Sequence, residues 1–344
     1  MTVLIPGVAG RVGSTLAHQL IRAGYDVRGT VRPGGRSLHP ALAGQVEIVE
    51  ADLTDPVALT RAVEGADIVV HLAAQMVIGD TAPDRFHDVN ALGTLRLLEA
   101  AARAEHPVRR FVFASTDNTY GPGRPRFVPI TEEHPQLPGD YYGTTKVLGE
   151  QLVRNHHELY GLEYSIMRLG SVVAPHEVPP LFRLSWTKAF LAAQAQAGRR
   201  GNLYQVFADQ PDLSALVEEA VGHRDDDPVV ALTGPGGTPW SLHLSDVRDV
   251  AVGLMLGVEH VAAADQDFNI VGPRTTTFGE AAAGLAKELD LDTVTVELPV
   301  TLAFEVSIAK AQQLLGYRPT RDFAQTVRAA LEPDAMDYVP AGGE

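Results

Sequence analysis

Residues 2–13 read Thr2-Val-Leu-Ile-Pro-Gly-Val-Ala-Gly-Arg-Val-Gly13, a short apolar run that leads directly into three glycines. The apolar run predicts a buried strand, and the helical spacing of apolar residues from Ser14 to Ala23 predicts a helix directly after the glycines. Small residues in such a turn let the backbone approach a pyrophosphate, whose charge is favoured by the helix N-terminus. The pattern predicts a dinucleotide site and leaves open a glycine turn without a ligand; the candidate cofactor-binding residues are Gly7, Gly10, Arg11, Val12 and Gly13.

The first half of the chain alternates strand and helix patterns. Further strands are predicted at Val27–Val31, Val46–Glu50, Ile68–Leu72, Arg110–Ser115 and Tyr164–Leu169, and helices at Val57–Val63, Asp84–Ala104 and Tyr142–Tyr160. Such alternation predicts an α/β fold of Rossmann type, in which a doubly wound parallel sheet is covered by helices on both faces. Because ligands of these sheets bind at the carboxyl ends of the strands, we expect the functional site there.

The end of the second strand distinguishes two dinucleotides. An acidic residue there binds the 2′-hydroxyl of NAD, whereas an arginine accommodates the 2′-phosphate of NADP. This chain has Arg32 at that place, with Arg28 and Arg36 close by. We therefore expect NADP as the cofactor, with NAD as the alternative. Asp52 and Leu53, after the third strand, are candidates for contacts to the adenine ring, although capping of the next helix explains Asp52 equally well.

A second pattern lies in Asp140-Tyr-Tyr-Gly-Thr-Thr-Lys146. Residues four apart share one face of a helix, so the hydroxyl of Tyr142 and the ammonium of Lys146 can point into one cleft. A phenol with a pKa of about 10 is a poor base at neutral pH, and a nearby cation favours the phenolate. Tyr142 is therefore the candidate acid/base, and the alternative is a solvated helix face.

Composition narrows the possible partners. The formal charge is −15, from 28 Lys and Arg against 43 Asp and Glu, which argues against a nucleic acid or an anionic membrane as partner. The chain contains no cysteine, so disulfides and thiolate catalysis are excluded.

No apolar stretch approaches the about 20 residues of a membrane span, so we expect a cytoplasmic enzyme. The adjacent carboxylates of 225–227 are expected to be solvated, and no metal is assigned.

Several ordered motifs from Val3 to about Leu331 together resemble one family, the extended short-chain dehydrogenase/reductases, in their NAD(P)-dependent epimerase/dehydratase group. The motifs are Pro6-Gly-Val-Ala-Gly-Arg-Val-Gly13, His71-Leu-Ala-Ala74, Asn90-Ala-Leu-Gly-Thr94, Ser115-Thr-Asp-Asn-Thr-Tyr-Gly121, Tyr142-Gly-Thr-Thr-Lys146, Met167-Arg168, His243-Leu-Ser-Asp-Val247 and Phe268-Asn-Ile270. Their order and consistent spacing make the resemblance specific.

The resemblance implies a role for each matching residue. Tyr142 would exchange a proton with a substrate hydroxyl or carbonyl, and Lys146 would lower the pKa of Tyr142 and hold the nicotinamide ribose. Thr116 would hydrogen-bond the substrate oxygen, with loop capping as the alternative. Asn90 would support a water-linked proton path, and Leu72, Ala73 and Ala74 would line the cofactor mainly with backbone.

At several positions the chain differs from members of the family, and these differences limit the reactions and substrates that we expect. Sugar 4,6-dehydratases of the family carry Thr-Asp-Glu where this chain has Thr116-Asp117-Asn118. Asp117 is a candidate general acid, or else a turn carboxylate, but Asn118 cannot accept a proton at neutral pH, which disfavours dehydration. Nucleotide-sugar epimerases carry an asparagine and an arginine at the places of Ser171 and Pro239. Without that arginine, binding of a diphosphate should weaken by about 2 kcal/mol, which argues against a nucleotide-sugar substrate.

The expected organisation has two units. Residues 1–175, with 241–261 returning to them, form the NAD(P)-binding Rossmann domain, and residues 176–240 and 262–331 form a smaller α/β lid that binds substrate. The tail, 332–344, is expected to fray. By resemblance, the long helices 84–104 and 142–160 would pair across a two-fold axis into a homodimer.

The predicted function is hydride transfer at a carbinol or carbonyl carbon of a small, sugar-like substrate, with Tyr142 as acid/base. Retention of the cofactor would give an epimerase, and its release would give a dehydrogenase or an NADPH-dependent carbonyl reductase of a non-sugar metabolite. A non-catalytic cofactor-binding protein is a third possibility. The presence of Thr116, Tyr142 and Lys146 together argues against it.

Overall fold

The computed structural model of the protein describes residues 1–76, 81–332 and 337–343. The strands, β1 to β14 in chain order, are Thr2–Pro6, Asp26–Val31, Val46–Glu50, Ile68–His71, Arg110–Thr116, Glu163–Leu169, Val172–Val173, Val229–Gly234, Thr238–Pro239, Ser241–Leu242, Ser245–Asp246, Gln266–Ile270, Thr276–Thr277 and Thr293–Glu297. The helices, α1 to α12, are Arg11–Arg22, Pro56–Val63, Pro83–Phe86, Gly93–Arg103, Tyr141–Tyr160, Leu184–Ala197, Tyr204–Phe207, Leu213–Val221, Val247–Glu259, Phe278–Leu289, Ala309–Leu315 and Phe323–Leu331. Among the described helices, none combines the length and apolar character needed to cross a bilayer.

A seven-stranded sheet in the order β12-β6-β5-β4-β1-β2-β3 forms the centre of the fold. All of its strand pairs are parallel. The chain winds outward in one direction from β1 to β3 and in the other from β4 to β12. This reversal between β1 and β4 makes a crevice at the carboxyl ends of the strands. The predicted Rossmann-type α/β fold is confirmed.

Alternating residues of β1 show how the sheet is covered on both faces. Val3 and Ile5 are buried in one core cluster, together with leucines of α1 and α9. Leu4 points to the other cluster, which contains Leu59 of α2 and Leu97 of α4. Successive side chains of a strand point to opposite faces, so the apolar run of β1 reads as a strand buried on both sides.

Three strands outside the central sheet form a smaller sheet, whose apolar residues belong to the same core cluster as Val3 and Ile5. In it β14 pairs with β8 in parallel and β9 pairs with β8 in antiparallel fashion. Its core includes the aromatic contact between Phe182 and Phe278, whose ring centroids lie 4.8 Å apart. Division of the chain into a dinucleotide-binding domain and a substrate lid stays a prediction.

One strand of the predicted lid segment lies instead in the central sheet. Strand β12 pairs with β6 along its whole length, so residues 266–270 of the segment 262–331 extend the Rossmann sheet. The side chain of Ile270 packs so closely on α9 that a Cβ at Gly253 would overlap it. This close helix packing holds β12 at the sheet edge, which a propensity pattern alone does not indicate.

The predicted fraying of the tail is wrong for residues 337–343. Tyr338 and Val339 are buried, with 5% and 4% of their surfaces exposed. The backbone of Gly342 donates to the carbonyl of Ala9 over 2.9 Å. The tail residues 333–336 and 344 lie outside the described part of the chain.

Candidate active site

The glycine turn after β1 is packed too tightly for side chains at two positions. Gly7 has a φ of +90°, and a Cβ there would lie 2.8 Å from the backbone nitrogen of Ala73. A Cβ at Gly13 would overlap the carbonyl oxygen of Gly7. At Gly10 the same test gives 3.3 Å to Gly7 O, which is tight but less severe. The turn therefore forms a backbone cradle against the loop that follows β4.

Helix α1 presents unbonded N–H groups to this cradle. Its first intrahelical bond runs from Ser14 N to Gly10 O over 2.9 Å. The N–H groups of Arg11, Val12 and Gly13 precede that bond and have no carbonyl one turn earlier in the helix. Such a helix N-terminus stabilises an anion, through these donors and through the helix dipole. The cradle and these donors fit a pyrophosphate.

The side chain of Arg11 is directed elsewhere. Its Nε atom lies 2.7 Å from a carboxylate oxygen of Glu177, and its guanidinium donates to the carbonyl of Val172 over 2.9 Å. These contacts tie the start of α1 to the segment after β6. At Arg11, the group that remains to meet a phosphate is the backbone N–H.

Arg28 lies within the second strand and Arg32 directly after it, so the two arginines meet different parts of the fold. Arg28 donates to Glu47 over 2.9 Å and to the carbonyl of Ala62 over 3.1 Å. This places its charge near the end of α2, away from the carboxyl end of β2. Arg32 directly follows β2, at the expected edge of the sheet. Of these two residues, only Arg32 is placed to meet a group bound at that edge.

Asp52 and Leu53 follow β3 at the same edge. Asp52 accepts hydrogen bonds from the backbone and the hydroxyl of Thr54, at 2.9 and 2.7 Å. Burial raises the pKa of Asp52, but these bonds and the charges of Arg85 and Arg32 outweigh it, so the net shift is downward. The cap of α2 is Asp55 and not Asp52, because the Asp55 carboxylate accepts from the first backbone N–H groups of that helix. Leu53 is buried.

Asn90 ties the loop after β4 to helix α5. The predicted helix 84–104 is interrupted by a π-helical turn, His87–Leu92, which carries Asn90 inward. The Asn90 amide accepts from Gln75 N over 2.7 Å and donates to Gln75 O over 3.0 Å. It also donates to the hydroxyl of Thr145 over 3.0 Å. These bonds fix the loop that contains residues 72–74, directly against the glycine turn.

Thr116 and Asp117 stand at the end of β5. The Thr116 hydroxyl donates to Asp117 Oδ1 over 3.1 Å and accepts from the backbone of Asn118 over 3.2 Å. Thr116 thus caps the following turn, as the alternative interpretation expected. Burial raises the pKa of Asp117 to about 6, although the bond from Thr116 acts in the opposite direction. Asp117 is therefore half protonated near pH 6.

Tyr142 and Lys146 lie on the buried face of α5, with 9% and 3% of their surfaces exposed. The Lys146 ammonium donates to the carbonyl of Ala114 over 2.6 Å. It also lies 4.6 Å from the ring centroid of Phe113 and 5.9 Å from that of Tyr142. Burial lowers the pKa of Lys146 to about 8, against an opposing influence of Glu150.

The expected effect of Lys146 on Tyr142 is not found in this arrangement. Burial raises the pKa of Tyr142, and the nearby carboxylates of Asp117 and Asp140 raise it further. The ammonium of Lys146 contacts the Ala114 carbonyl and the Phe113 ring. The charges that act on Tyr142 are instead the carboxylates of Asp117 and Asp140. In this structure Tyr142 is therefore a phenol, suited to hold and donate a proton.

The sequence interpretation did not assign a role to two polar residues at this site. Asp140 caps α5 by accepting from Gly143 N over 2.7 Å, and burial raises its pKa to about 6. Asn202, from the turn before α7, donates to Asn118 Oδ1 over 3.0 Å, and Asn118 in turn donates to Asp140 over 3.3 Å. The N-cap pattern before Tyr141 could have identified Asp140. Asn202 carries no sequence signal, since its contact is long-range.

Comparisons with known proteins agree with this architecture. The NAD dependent epimerase/dehydratase family matches residues 3–270. A putative UDP-glucose 4-epimerase of Methanocaldococcus jannaschii is 31% identical over 52% of this chain, which spans 58% of that protein. The dTDP-glucose 4,6-dehydratase of Streptomyces antibioticus is 31% identical over 96% of this chain and 92% of its own length.

A solved structure extends the comparison to the fold. A short-chain dehydrogenase/reductase superfamily protein of Agrobacterium tumefaciens, solved with bound NAD, shares 30% identity and a TM-score of 0.83, with 97% of each chain covered. The family match over most of the chain and the near full-length dehydratase relative place the protein among enzymes of this group. The chain belongs to the NAD dependent epimerase/dehydratase family.

Proposed function

We propose that the protein interconverts a hydroxyl and a carbonyl group of a small, sugar-like substrate, with Tyr142 as the acid/base, and that it acts as an epimerase. The observation that carries the proposal is the position of Thr116 and Tyr142. Both are buried beside the carboxyl end of β5, and Lys146, on the same helix face as Tyr142, donates to the carbonyl of Ala114 in that strand.

The dinucleotide would be held by the cradle beside this group. The tight packing at Gly7 and Gly13 supports this assignment, since a backbone cradle that excludes Cβ atoms suits a pyrophosphate. The N–H groups of Arg11 and Val12, the carboxyl edge around Asp52 and the backbone of 72–74 complete the proposed site. A bound NAD(P) supplies a hydride acceptor and donor.

The proton chemistry follows from the protonation states. Tyr142 is a phenol at neutral pH because burial and the nearby carboxylates raise its pKa. An epimerase first oxidises a hydroxyl, so Tyr142 must lose its phenolic proton to solvent before the phenolate takes the proton of the substrate hydroxyl. In the second half-reaction the phenol so formed returns that proton to the carbonyl oxygen. Thr116 would orient that oxygen. Lys146, buried with a pKa of about 8, would hold a positive charge close to the developing phenolate.

The polar lining favours a substrate with hydroxyl groups. Asp117 and Asp140 supply carboxylates, and Asn118 and Asn202 supply amides that are already joined by hydrogen bonds. Carboxylates and amides bind neutral hydroxyls well, but two carboxylates repel a diphosphate. Among the family positions for a diphosphate, Ser171 carries no charge. We therefore propose a sugar or sugar derivative, with a nucleotide-linked sugar as the alternative outcome of the test.

The first experiment identifies the dinucleotide that the purified protein retains, by mass spectrometry under native and then denaturing conditions. Tightly held NAD(H) or NADP(H) is expected for an epimerase, which returns the hydride to the same substrate. An empty site that fills reversibly would instead indicate a reductase or dehydrogenase.

Turnover in heavy water then separates the remaining chemistries. A panel of free sugars, sugar acids and nucleotide sugars is incubated with the protein and followed by NMR. The proposed reaction inverts one carbinol centre without deuterium at the inverted carbon, because the hydride returns directly. Deuterium on a neighbouring carbon together with loss of water would indicate dehydration, and no turnover of any sugar would contradict the substrate class.

NADP is the proposed dinucleotide, because Arg32 directly follows β2, the position at which an arginine accommodates a 2′-phosphate in such folds. Replacing Arg32 with alanine should weaken NADP binding by about 1 to 3 kcal/mol, the value of a charge-assisted hydrogen bond, and leave NAD binding nearly unchanged. Isothermal titration of both dinucleotides measures the difference. Arg28→Ala is the matched control, since its guanidinium bonds Glu47 instead. Equal losses for NAD and NADP in Arg32→Ala would contradict the assignment.

We further propose a homodimer in which α4 and α5 pair with their copies. The outer faces of this helical region carry exposed apolar side chains; they include Leu92, Leu148, Leu159 and Tyr160, at 46%, 42%, 62% and 48% exposure. Leu148→Glu should convert dimer to monomer at micromolar concentration, because a charge in the centre of an apolar interface is left unpaired. Light scattering measures the molar mass. The control is Val57→Glu, at an exposed position on α2, which should stay dimeric. A parent protein that is monomeric would refute the proposal.

A further inference from the structure

Residues 337–343 cross the outer edge of the cradle, and we name this segment the strap. It begins at Asp337, whose carboxylate bonds Arg248 over 2.9 Å and Arg321 over 2.7 Å. The two arginines in turn bond Asp246 and Asp249. Asp337 is thus the bridge between two ion pairs, which fixes where the strap starts.

The next residues pack on the elements that surround the glycine turn. Tyr338 stacks on His176 with ring centroids 5.8 Å apart and nearly parallel planes. It is buried in a small cluster with Ala174, against which Val12 also packs. The carbonyl of Val339 accepts from the hydroxyl of Thr15, in the first turns of α1, over 3.1 Å. The strap therefore lies across the N-terminal end of α1.

The end of the strap joins two loops that are far apart in sequence. Gly342 N donates to the carbonyl of Ala9, within the glycine turn, over 2.9 Å. Gly343 O accepts from the backbone of Ser37, in the loop after β2, over 2.9 Å. The fit at Gly342 is tight, because a Cβ there would overlap the carbonyl oxygen of Ser37. One short segment thus ties together the two loops proposed to hold the pyrophosphate and the adenosine ribose.

We propose that the strap closes the adenosine end of the dinucleotide site and slows release of the bound dinucleotide. This inference rests on the proposed dinucleotide site. Release of a ligand held between two loops requires those loops to separate, and the strap bonds both of them. Slow release also suits a reaction in which the cofactor stays on the enzyme through both half-reactions.

The hydrogen bonds of the strap indicate that it holds the two loops together over a bound dinucleotide, as a clamp. They do not indicate that it fills the dinucleotide site itself, as a plug would. Within the described chain, its bonds to the cradle use the carbonyl of Ala9, the hydroxyl of Thr15 and the backbone of Ser37. They do not use the N–H groups of Arg11 and Val12, the donors proposed for the phosphates. A plug that competed with the dinucleotide would be expected to bond those donors itself.

A matched pair of glycine variants tests the clamp. Gly342→Ala places a methyl group against Ser37 O and should disengage the end of the strap, whereas a Cβ at Gly343 meets nothing within 4 Å. With two backbone hydrogen bonds lost, we expect Gly342→Ala to release the dinucleotide about tenfold faster. Gly343→Ala should release it at the parent rate. Stopped-flow fluorescence of bound reduced dinucleotide, chased with excess oxidised form, gives both rates.

Hydrogen exchange of the unmodified protein gives a second reading that does not depend on a variant. Dinucleotide should slow amide exchange in 337–343 and at Ser37 if the strap closes over it. Faster exchange of the strap on binding, or release from Gly342→Ala at or below the parent rate, would overturn the clamp. A parent protein that binds neither NAD nor NADP would refute the dinucleotide site as well, which separates that failure from failure of the strap alone.

Discussion

Replacing Tyr142 with phenylalanine is expected to lower kcat by about 10²- to 10⁴-fold, the range that general acid/base catalysis contributes. The change removes one oxygen atom from a buried ring and leaves the packing of α5 intact. The Kd for dinucleotide should change little, since the cradle around Gly7 and Gly13 lies on other elements. Single-turnover rates and dinucleotide titration measure the two quantities separately.

The chain supplies a matched control in the residue before it. Tyr141 is a tyrosine on the same helix, 37% exposed, whose ring contacts Phe86. Tyr141→Phe should retain turnover, because neighbouring residues of a helix point about 100° apart and the Tyr141 ring packs on Phe86 instead. If Tyr142→Phe kept more than about a tenth of the parent kcat, the proton would have to come from another group. Asp117, with a pKa raised to about 6, would then be the acid to test.

The central sheet could be read from the sequence because its signals are local. Strand Val46–Glu50 has the predicted bounds, and the other predicted strands of the sheet differ by a residue or so at their ends. Apolar runs, glycine turns and capping residues determine these elements within a few residues of chain. The same local signals predicted that Thr116, Tyr142 and Lys146 would lie at the carboxyl edge of the sheet.

Features that depend on contacts between distant segments could not be read in this way. The strap is held by the ion pairs of Asp337, the stacking of Tyr338 on His176 and backbone groups of its later residues, all with partners far away in sequence. The raised pKa of Tyr142 depends first on its burial in the folded chain and then on the carboxylate of Asp117, which comes from another element. Strand β12 joins the sheet by pairing with β6. In each case the deciding partner lies far away in sequence.

Replacing Lys146 with methionine is expected to make the protein more stable while it loses activity. Lys146 is buried, and burial lowers its pKa from 10.5 to about 8. At pH 7 the folded protein therefore contains a buried charge that costs free energy, up to about 3 kcal/mol by the size of this shift. Methionine has a similar length and no charge. Allowing for the lost hydrogen bond to Ala114 O, we expect a gain of about 1 to 2 kcal/mol in the free energy of unfolding.

The pH dependence tests the cause of this gain. Between pH 8 and 10.5 Lys146 is largely neutral when folded and charged when unfolded, so unfolding takes up a proton and the parent protein gains stability as pH rises. Lys146→Met lacks this gain, so its advantage over the parent should be largest below pH 8 and disappear about one pH unit above 8. Towards pH 10.5 it should become a deficit, because only the lost hydrogen bond then separates the two proteins. Urea unfolding across this range measures it, with Lys287→Met, an exposed lysine on α10, as the control that should show no such difference. A variant less stable than the parent at pH 7 would mean that the bond to Ala114 and the contact with Phe113 outweigh the burial cost. The charge would then be part of what stabilises α5, rather than a cost accepted for catalysis.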